Sequence, residues 1–187
     1  MRKVILSVLL AFLVISVFAD GKKKVENVQE LDEKSQLEFD YSFMEGVRCK
    51  ITGDFQAAIG WYDNCLKINP ESPVVKYEIA SILMANQDYN GALQLAREAV
   101  AGNPGNMWYK ILLATILQNK SMIEEACNVY AEIIAKYPEK EEFYLIEAGL
   151  YASVEKWQKA IEVYDRYEAQ NGITEPVSIE KIKLYTK

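Results

Sequence analysis

Composition excludes several classes of protein before any motif is considered. The chain has 187 residues, 50% hydrophobic and 26% charged, so it has the composition of a folded domain or a short repeat array and not that of a disordered chain. A formal net charge of -6 argues against a nucleic-acid partner, and the absence of histidine excludes histidine acid–base catalysis and histidine metal sites.

Residues 1–19 have the pattern of a secretory signal peptide. Arg2 and Lys3 precede an uncharged apolar run over 4–18, and Ala19 offers a small residue for cleavage. The run is shorter than the roughly 20 residues of a spanning helix, although the lysines at 22–24 oppose the usual orientation of an exported chain. We therefore expect export with cleavage after Ala19. The alternative is an uncleaved N-terminus, which would be the only membrane contact.

Residues 20–36 predict a polar linker. The three lysines at 22–24 could touch anionic lipid headgroups, but acidic residues begin at Glu26. A solvated tether is therefore the favoured interpretation, with a frayed start of the first helix as the alternative.

From residue 37 onward, similar residues recur every 34 positions, in what we call columns. One column holds the alanines Ala58, Ala92, Ala126 and Ala160. A second holds the prolines Pro70, Pro104 and Pro138, and a third holds the small residues Gly46, Ala80, Ala114 and Ala148. Several columns with one period indicate a helical solenoid.

Each 34-residue unit is predicted to contain two helices, so the fold class is all-α. Apolar periodicity places the first helices at roughly 37–52, 73–86, 107–119 and 141–154, and the second at roughly 55–68, 89–102, 122–136 and 157–171. Because proline lacks an amide hydrogen and restrains the residue before it, Asn69, Asn103 and Tyr137 should end three second helices. Gly172 should cap the fourth.

Small residues in two columns would let the two antiparallel helices of a unit approach closely. The predicted repeat-packing residues are Gly46, Ala58, Ala80, Ala92, Ala114, Ala126, Ala148 and Ala160. No unit can bury its apolar face alone, so we expect neighbouring units to stack on one another.

The order small residue, turn, bulky residue, alanine, aromatic residue and proline resembles the tetratricopeptide repeat. Residues 39–72 show it in full as FDYSFMEGVRCKITGDFQAAIGWYDNCLKINPES. The resemblance implies a right-handed superhelical solenoid over 37–174. Its four units are 39–72, 73–106, 107–140 and 141–174, and 175–187 forms the first helix of a fifth unit or a capping helix. The chain departs from the family pattern at Ser42, Lys76 and Lys110, which replace an aromatic residue, and at Glu45 and Glu147, which replace leucine.

The resemblance also implies where a partner binds, because the first helices line the concave face of such arrays. The predicted partner-binding residues are Phe43, Met44, Val47, Tyr77, Ser81, Met84, Trp108, Leu112, Thr115, Ile146 and Gly149, with Ile111 and Leu145 placed either on this face or between repeats. The family's lysine and asparagine clamp for a terminal carboxylate is missing, since apolar residues hold the lysine column. An extended or helical apolar segment is therefore the expected ligand.

No catalytic or cofactor site is predicted. Cys49, Cys65 and Cys127 are an odd number of cysteines, so at most one disulfide can form, and Cys49 and Cys65 are expected to be buried and reduced, with a bridge between them as the alternative. The cysteine spacing lacks a close pair of ligands, so no metal site is expected.

The terminal segment 175–187 predicts one further helix. Ile179, Ile182 and Tyr185 form an apolar stripe at helical spacing, which is expected to pack on the fourth unit. Either the chain is a fragment of a longer array or this helix is a cap.

These features predict a non-enzymatic scaffold that binds a protein or peptide segment. By resemblance to exported tetratricopeptide proteins of Gram-negative bacteria, its place would be the periplasm or cell envelope. One alternative is a docking or regulatory module of a longer protein whose catalytic or membrane part lies beyond residue 187. A further hypothesis is a homo-oligomer that assembles through the aromatic surface. The identity of the partner does not follow from the sequence.

Overall fold

The computed structural model describes residues 31–187, and this part of the chain forms nine helices without a strand. Residues 35–187 make one compact unit, and only the last four residues of the other unit, 1–34, are among those described. The predicted signal at 1–19 and most of the predicted linker lie outside the described residues. Within the described part of the chain, no helix is long and apolar enough to cross a bilayer.

The nine helices alternate between the first and second positions of a unit. The first helices are α1 (Glu33–Ile51), α3 (Pro73–Ala85), α5 (Met107–Asn119), α7 (Glu141–Ser153) and α9 (Glu175–Tyr185). The second helices are α2 (Phe55–Ile68), α4 (Tyr89–Gly102), α6 (Ile123–Lys136) and α8 (Trp157–Asn171). The all-α fold of paired helices predicted from the periodicity is thereby confirmed.

Helix ends agree with the turn chemistry of the sequence. Asn69, Asn103 and Tyr137 are the C-terminal caps before the three prolines, and Gly172 caps α8 with φ 86°. The first helix differs from its prediction, because it begins at Glu33 and residues 33–36 are therefore helix and not linker. Glu33 lies in the first turn, where a carboxylate interacts favourably with the helix dipole.

The turn within each unit uses a left-handed residue at the same column. Gly53 has φ 83°, and its counterparts Gln87, Ser121 and Glu155 have φ 63°, 57° and 60°. Glycine adopts this conformation without strain, whereas the other three residues carry a Cβ, which disfavours positive φ. The geometry of the helix pair therefore overrides local backbone preference in three of the four units.

The small-residue columns lie where helices approach most closely. All eight predicted repeat-packing residues are buried. A Cβ added at Gly46 would come within 2.6 Å of Cε1 in the Tyr62 ring, so even alanine could not fit there without a shift. Bulk in these columns would force the two helices of a unit apart.

The core runs along the array and is not gathered in one place. One buried cluster extends from Cys49 in α1 to Ile82 in α3, and a second extends from Ala80 to Ala126. A third extends from Ala114 in α5 to Val177 in α9. Each cluster includes residues of neighbouring units, as expected when no unit can bury its apolar surface alone.

Ion pairs between the two helices of a unit explain two departures from the family pattern. Lys76 is buried and its ammonium lies 3.0 Å from both Glu98 and Glu71. Burial lowers the pKa of Lys76, but the hydrogen bonds to these carboxylates outweigh it, so the net pKa is raised. One repeat interval later, Lys110 contacts Glu132 at 2.6 Å. Lysine can therefore replace an aromatic residue because the second helix of the same unit supplies a matching carboxylate.

Glu147, which replaces a leucine, is matched in a related way. Its side chain is only 4% exposed and accepts a hydrogen bond from Arg166 of α8 at 2.8 Å. Burial raises the pKa of Glu147, and Arg166 opposes that rise. The partly exposed guanidinium of Arg166 is thus the cation that faces this buried carboxyl group.

Helix α9 packs on the fourth unit with a different face from the one predicted. Val177 is buried, Leu184 is partly buried, and Lys181 pairs with Asp165 and Glu168 of α8 at 2.6 and 2.5 Å. The predicted packing stripe is wrong, because its three members are 45%, 63% and 66% exposed. Those members are Ile179, Ile182 and Tyr185. The residues that pack instead are Val177 and Leu184. They stand one repeat interval after Phe143 and Leu150, which belong to the core that the third and fourth units share.

Candidate functional site

The predicted partner-binding residues follow the first helices, and one column among them is continuous. Phe43, Tyr77 and Ile111 are half-buried, whereas Leu145 is 45% exposed. Ile179 continues the column on α9 and is exposed to the same extent. We call this set of five residues the apolar ladder. It presents more surface towards the C-terminal end of the array.

Aromatic contacts hold the first two residues of the ladder in place. The Phe43 ring stacks on Phe39 with centroids 6.2 Å apart and tilts against Tyr62 at 5.8 Å. The Tyr77 ring packs against Tyr109 at 4.9 Å. These rings serve packing between helices and leave only part of their surface to a ligand.

Four predicted residues present open surface. Trp108 is 63% exposed in the first turn of α5, where its backbone amide donates to Asn106 Oδ1 at 3.0 Å. Met44 and Ile146 are also exposed, and a Cβ at Gly149 would meet nothing within 4 Å. An exposed tryptophan on a backbone held by a helix cap has the features of a binding anchor.

Polar members of the predicted set already bond within the chain. Ser81 Oγ donates to the Glu78 carbonyl at 2.7 Å and accepts from Lys50 Nζ at 2.6 Å. Lys50 also contacts the Glu78 carboxylate at 2.7 Å, and Thr115 Oγ1 donates to the Ile111 carbonyl at 2.8 Å. Recognition by this surface therefore depends on apolar contact more than on free polar groups.

Three further predicted residues contribute less. Val47 and Met84 are half-buried between neighbouring helices. Leu112 is only 5% exposed and belongs to the core shared by the second and third units. Its prediction as a partner contact is wrong, because its own side chain is buried in this core, although Met44 and Ile146 of the same column are exposed.

A pocket at the C-terminal end of the ladder was missed by the sequence reasoning. It has a volume of about 480 Å³ and lies between α7, α8 and α9. Leu145, Tyr164, Tyr167 and Val177 are among the residues that line its walls, with Glu141 and Glu180 as its acidic members. Comparing residues one repeat interval apart gives only a partial signal, since Val177 stands where Tyr109 and Phe143 carry rings, but Val75 of the same column is fully buried.

The three thiols are buried and free, so the alternative of a bridge between Cys49 and Cys65 is not seen. Burial raises the pKa of Cys65 and of Cys127 to about 11. Thiols in this state are poor nucleophiles at neutral pH. Among the residues that the structure describes, no three histidine, cysteine or acidic residues are grouped to hold a metal ion.

Solved structures of low sequence identity share this fold. The structure of MamA matches with a TM-score of 0.64 and 18% identity, over 80% of this chain and 88% of that one. YrrB, described as a TPR protein with an unusual peptide-binding site, matches with a TM-score of 0.63 and 18% identity, over 81% and 76%. A tetratricopeptide repeat protein from Parabacteroides merdae ATCC 43184 matches with a TM-score of 0.67 and 16% identity, over 79% and 59%.

Family models agree with the architecture, although no curated protein sequence matches the chain. One model described as tetratricopeptide repeat matches residues 83–150 and another of the same description matches 52–107. Together they span residues 52–150, which is more than half of the 187 residues. The chain therefore belongs to the tetratricopeptide repeat family.

Proposed function

We propose that this protein is a non-enzymatic scaffold that binds an apolar protein or peptide segment along its first helices, on the concave face of the array. The observation that carries the proposal is the apolar ladder, flanked by the exposed side chains of Met44, Trp108 and Ile146. Exposed apolar residues that follow one helical surface are typical of protein interaction sites. The buried thiols give no support to a competing proposal of cysteine chemistry.

A pull-down from a periplasmic extract tests this function. Trp108→Ala should reduce capture of the partner, because a large exposed anchor is removed without disturbing the core. Tyr185→Ala is the matched control, since this aromatic side chain is 66% exposed but lies off the ladder. Equal capture by the wild type and Trp108→Ala, with loss in Tyr185→Ala, would move the binding site to the other face of α9.

We further propose that residues 1–19 direct the chain out of the cytoplasm and are removed after Ala19. The support is the sequence pattern of two basic residues, an apolar run and a small residue. Cell fractionation with intact-mass measurement tests it. A periplasmic protein that begins at Asp20 is the expected result, whereas a full-length protein in the membrane fraction would identify the uncleaved anchor.

A further inference from the structure

Aromatic rings close the junctions between units in the middle of the array. The Tyr130 and Phe143 rings stack with centroids 5.9 Å apart, where the third unit meets α7. Tyr77 and Tyr109 pack in the same way where the second unit meets α5. Across the junctions, the column of Tyr109 and Phe143 holds a valine at each end: Val75, which is fully buried where the first unit meets α3, and Val177 on α9.

The pocket between α7, α8 and α9 lies at the fourth junction, where the fourth unit meets α9. Its lining includes Tyr164, the counterpart of Tyr130, and Leu145, the counterpart of Tyr77. Tyr130 and Tyr77 are each covered by a ring at their own junctions. In the pocket, no such ring among the described residues covers Tyr164 or Leu145.

At the first junction, which also has a valine in this column, the ring of Phe43 covers Tyr62, the counterpart of Tyr164. We infer that the junction with α9 stays open because Val177 has no ring and Leu145 stands in the column of Phe43.

The residues that line the pocket include two carboxylates and no cation. Glu141 accepts a hydrogen bond from the Tyr167 hydroxyl at 2.8 Å through Oε2. Glu180 pairs through Oε1 with Lys183, one turn further along the same exposed surface, at 2.6 Å. Such a surface pair contributes little, so a second cation can approach Glu180 at small cost. Burial and then the charge of Glu180 raise the pKa of Tyr164, in agreement with the carboxylate lying close to this ring.

We propose that the pocket binds one apolar side chain of the partner segment and that lysine or arginine residues flank this side chain. The proposal rests on the proposed function and adds the chemistry of the partner. Apolar walls favour an aromatic or aliphatic anchor, and the two carboxylates favour cations beside it. A second copy of this chain is a poorer occupant, because two copies of net charge -6 repel each other.

Three blocked peptides of equal length test the proposal: GSKKFKKSG, GSKKAKKSG and GSEEFEESG. Each is titrated into the isotope-labelled full chain and followed by amide chemical shifts. GSKKFKKSG should bind at least about tenfold more tightly than the other two. Its largest shifts should fall on residues 174–180 and on Tyr164 and Tyr167.

Two variants connect the binding to the pocket. Val177→Phe introduces the ring that the two middle junctions carry and should weaken GSKKFKKSG by at least about tenfold, whereas Ile182→Phe adds the same ring outside the pocket and should not. Glu180→Lys should lower the affinity for GSKKFKKSG and raise that for GSEEFEESG. Asp63→Lys, an equal change of charge on exposed α2, is its control. Amide spectra of each variant verify that it is folded.

Each outcome decides one part of the proposal. Unchanged binding by Val177→Phe would overturn the pocket, and equal binding of GSKKFKKSG and GSEEFEESG would overturn the basic partner. If Trp108→Ala weakens a peptide and Val177→Phe does not, the pocket fails while the proposed function stands. If no peptide binds, the inference fails and the pull-down alone decides the function. Peptide-independent dimers that disappear in Val177→Phe would assign the pocket to a second copy.

Discussion

Glu45 and Glu147 stand at the same position in units 1 and 4, yet they have different surroundings. Glu45 pairs at 2.7 Å with Arg48 on the same helix, and both side chains reach solvent. Glu147 is almost fully buried and pairs with Arg166 on α8. The difference arises because unit 3 covers this face of α7, whereas no unit among the described residues precedes α1. A residue's role in this array therefore depends on whether a neighbouring unit covers it.

The small-residue column shows the same contrast at the other end of the array. Ala148 is fully buried against the second helix of its unit, whereas Ile182, one repeat interval later, is 63% exposed. Among the described residues, no second helix follows α9. The same column therefore requires a small residue in the interior of the array but tolerates a large one on α9.

The largest expected effect comes from exchanging side-chain size between these two positions. Ala148→Ile should lower the free energy of unfolding by about 3 kcal/mol, because extra methyl groups overpack a filled site. Ile182→Ala should change it by less than about 0.5 kcal/mol, since the side chain is exposed. Urea unfolding monitored by circular dichroism measures both. Similar effects at the two positions would show that α9 is covered like an interior helix.

Removing the partner of each glutamate should give the next largest difference. Arg166→Ala should destabilise the fold by about 2 kcal/mol, which is below the full cost of an unpaired buried charge because Arg166 is partly exposed. Arg48→Ala is the control at the N-terminal end and should have little effect, since its pair with Glu45 is on the surface. Equal midpoints of unfolding for the two variants would contradict this comparison.

The left-handed turn column allows a smaller test in both directions. Glu155→Gly should stabilise the protein by up to about 1 kcal/mol, because it removes the strain of a Cβ at positive φ. Gly53→Ala should destabilise it by about 1 kcal/mol for the same reason. A Cβ at Gly53 would meet nothing within 4 Å, so any cost is conformational and not steric contact. Thermal unfolding of the two variants, with shifts of opposite sign, is the expected result.

The smallest expected effect is the pH dependence due to Glu147. Burial raises its pKa in the folded state above the unfolded value, so the native state holds this proton more tightly. The resulting stability is fully present below the unfolded pKa and is lost as the pH rises through the folded pKa. Unfolding free energies of the wild type and Glu147→Gln, compared between about pH 4 and pH 8, should diverge in this direction. Parallel curves would mean that Arg166 cancels the effect of burial.

Much of the fold was predictable, because each unit makes mainly local contacts with a fixed spacing. The prolines end helices at Asn69, Asn103 and Tyr137 through backbone chemistry that any neighbour would leave unchanged. The candidate site was predictable only as a set of columns on the first helices. Leu112 lies in one of those columns and is nevertheless buried in the core shared by the second and third units, whereas Met44 and Ile146 of the same column are exposed.

The sequence by itself determined the repeat interval, the helix pairs, the small-residue contacts and the burial of Cys49 and Cys65, since these follow from residue size, proline chemistry and apolar periodicity. Only the tertiary structure decided which face of α9 packs, which charges are neutralised across helices and where the array stays open. Lys76 forms an ion pair with Glu98, which lies 22 residues further along the chain. Val177 and Tyr164, from different helices, line the pocket. These features depend on side chains from different helices meeting in space, and periodicity along a single helix does not contain that information.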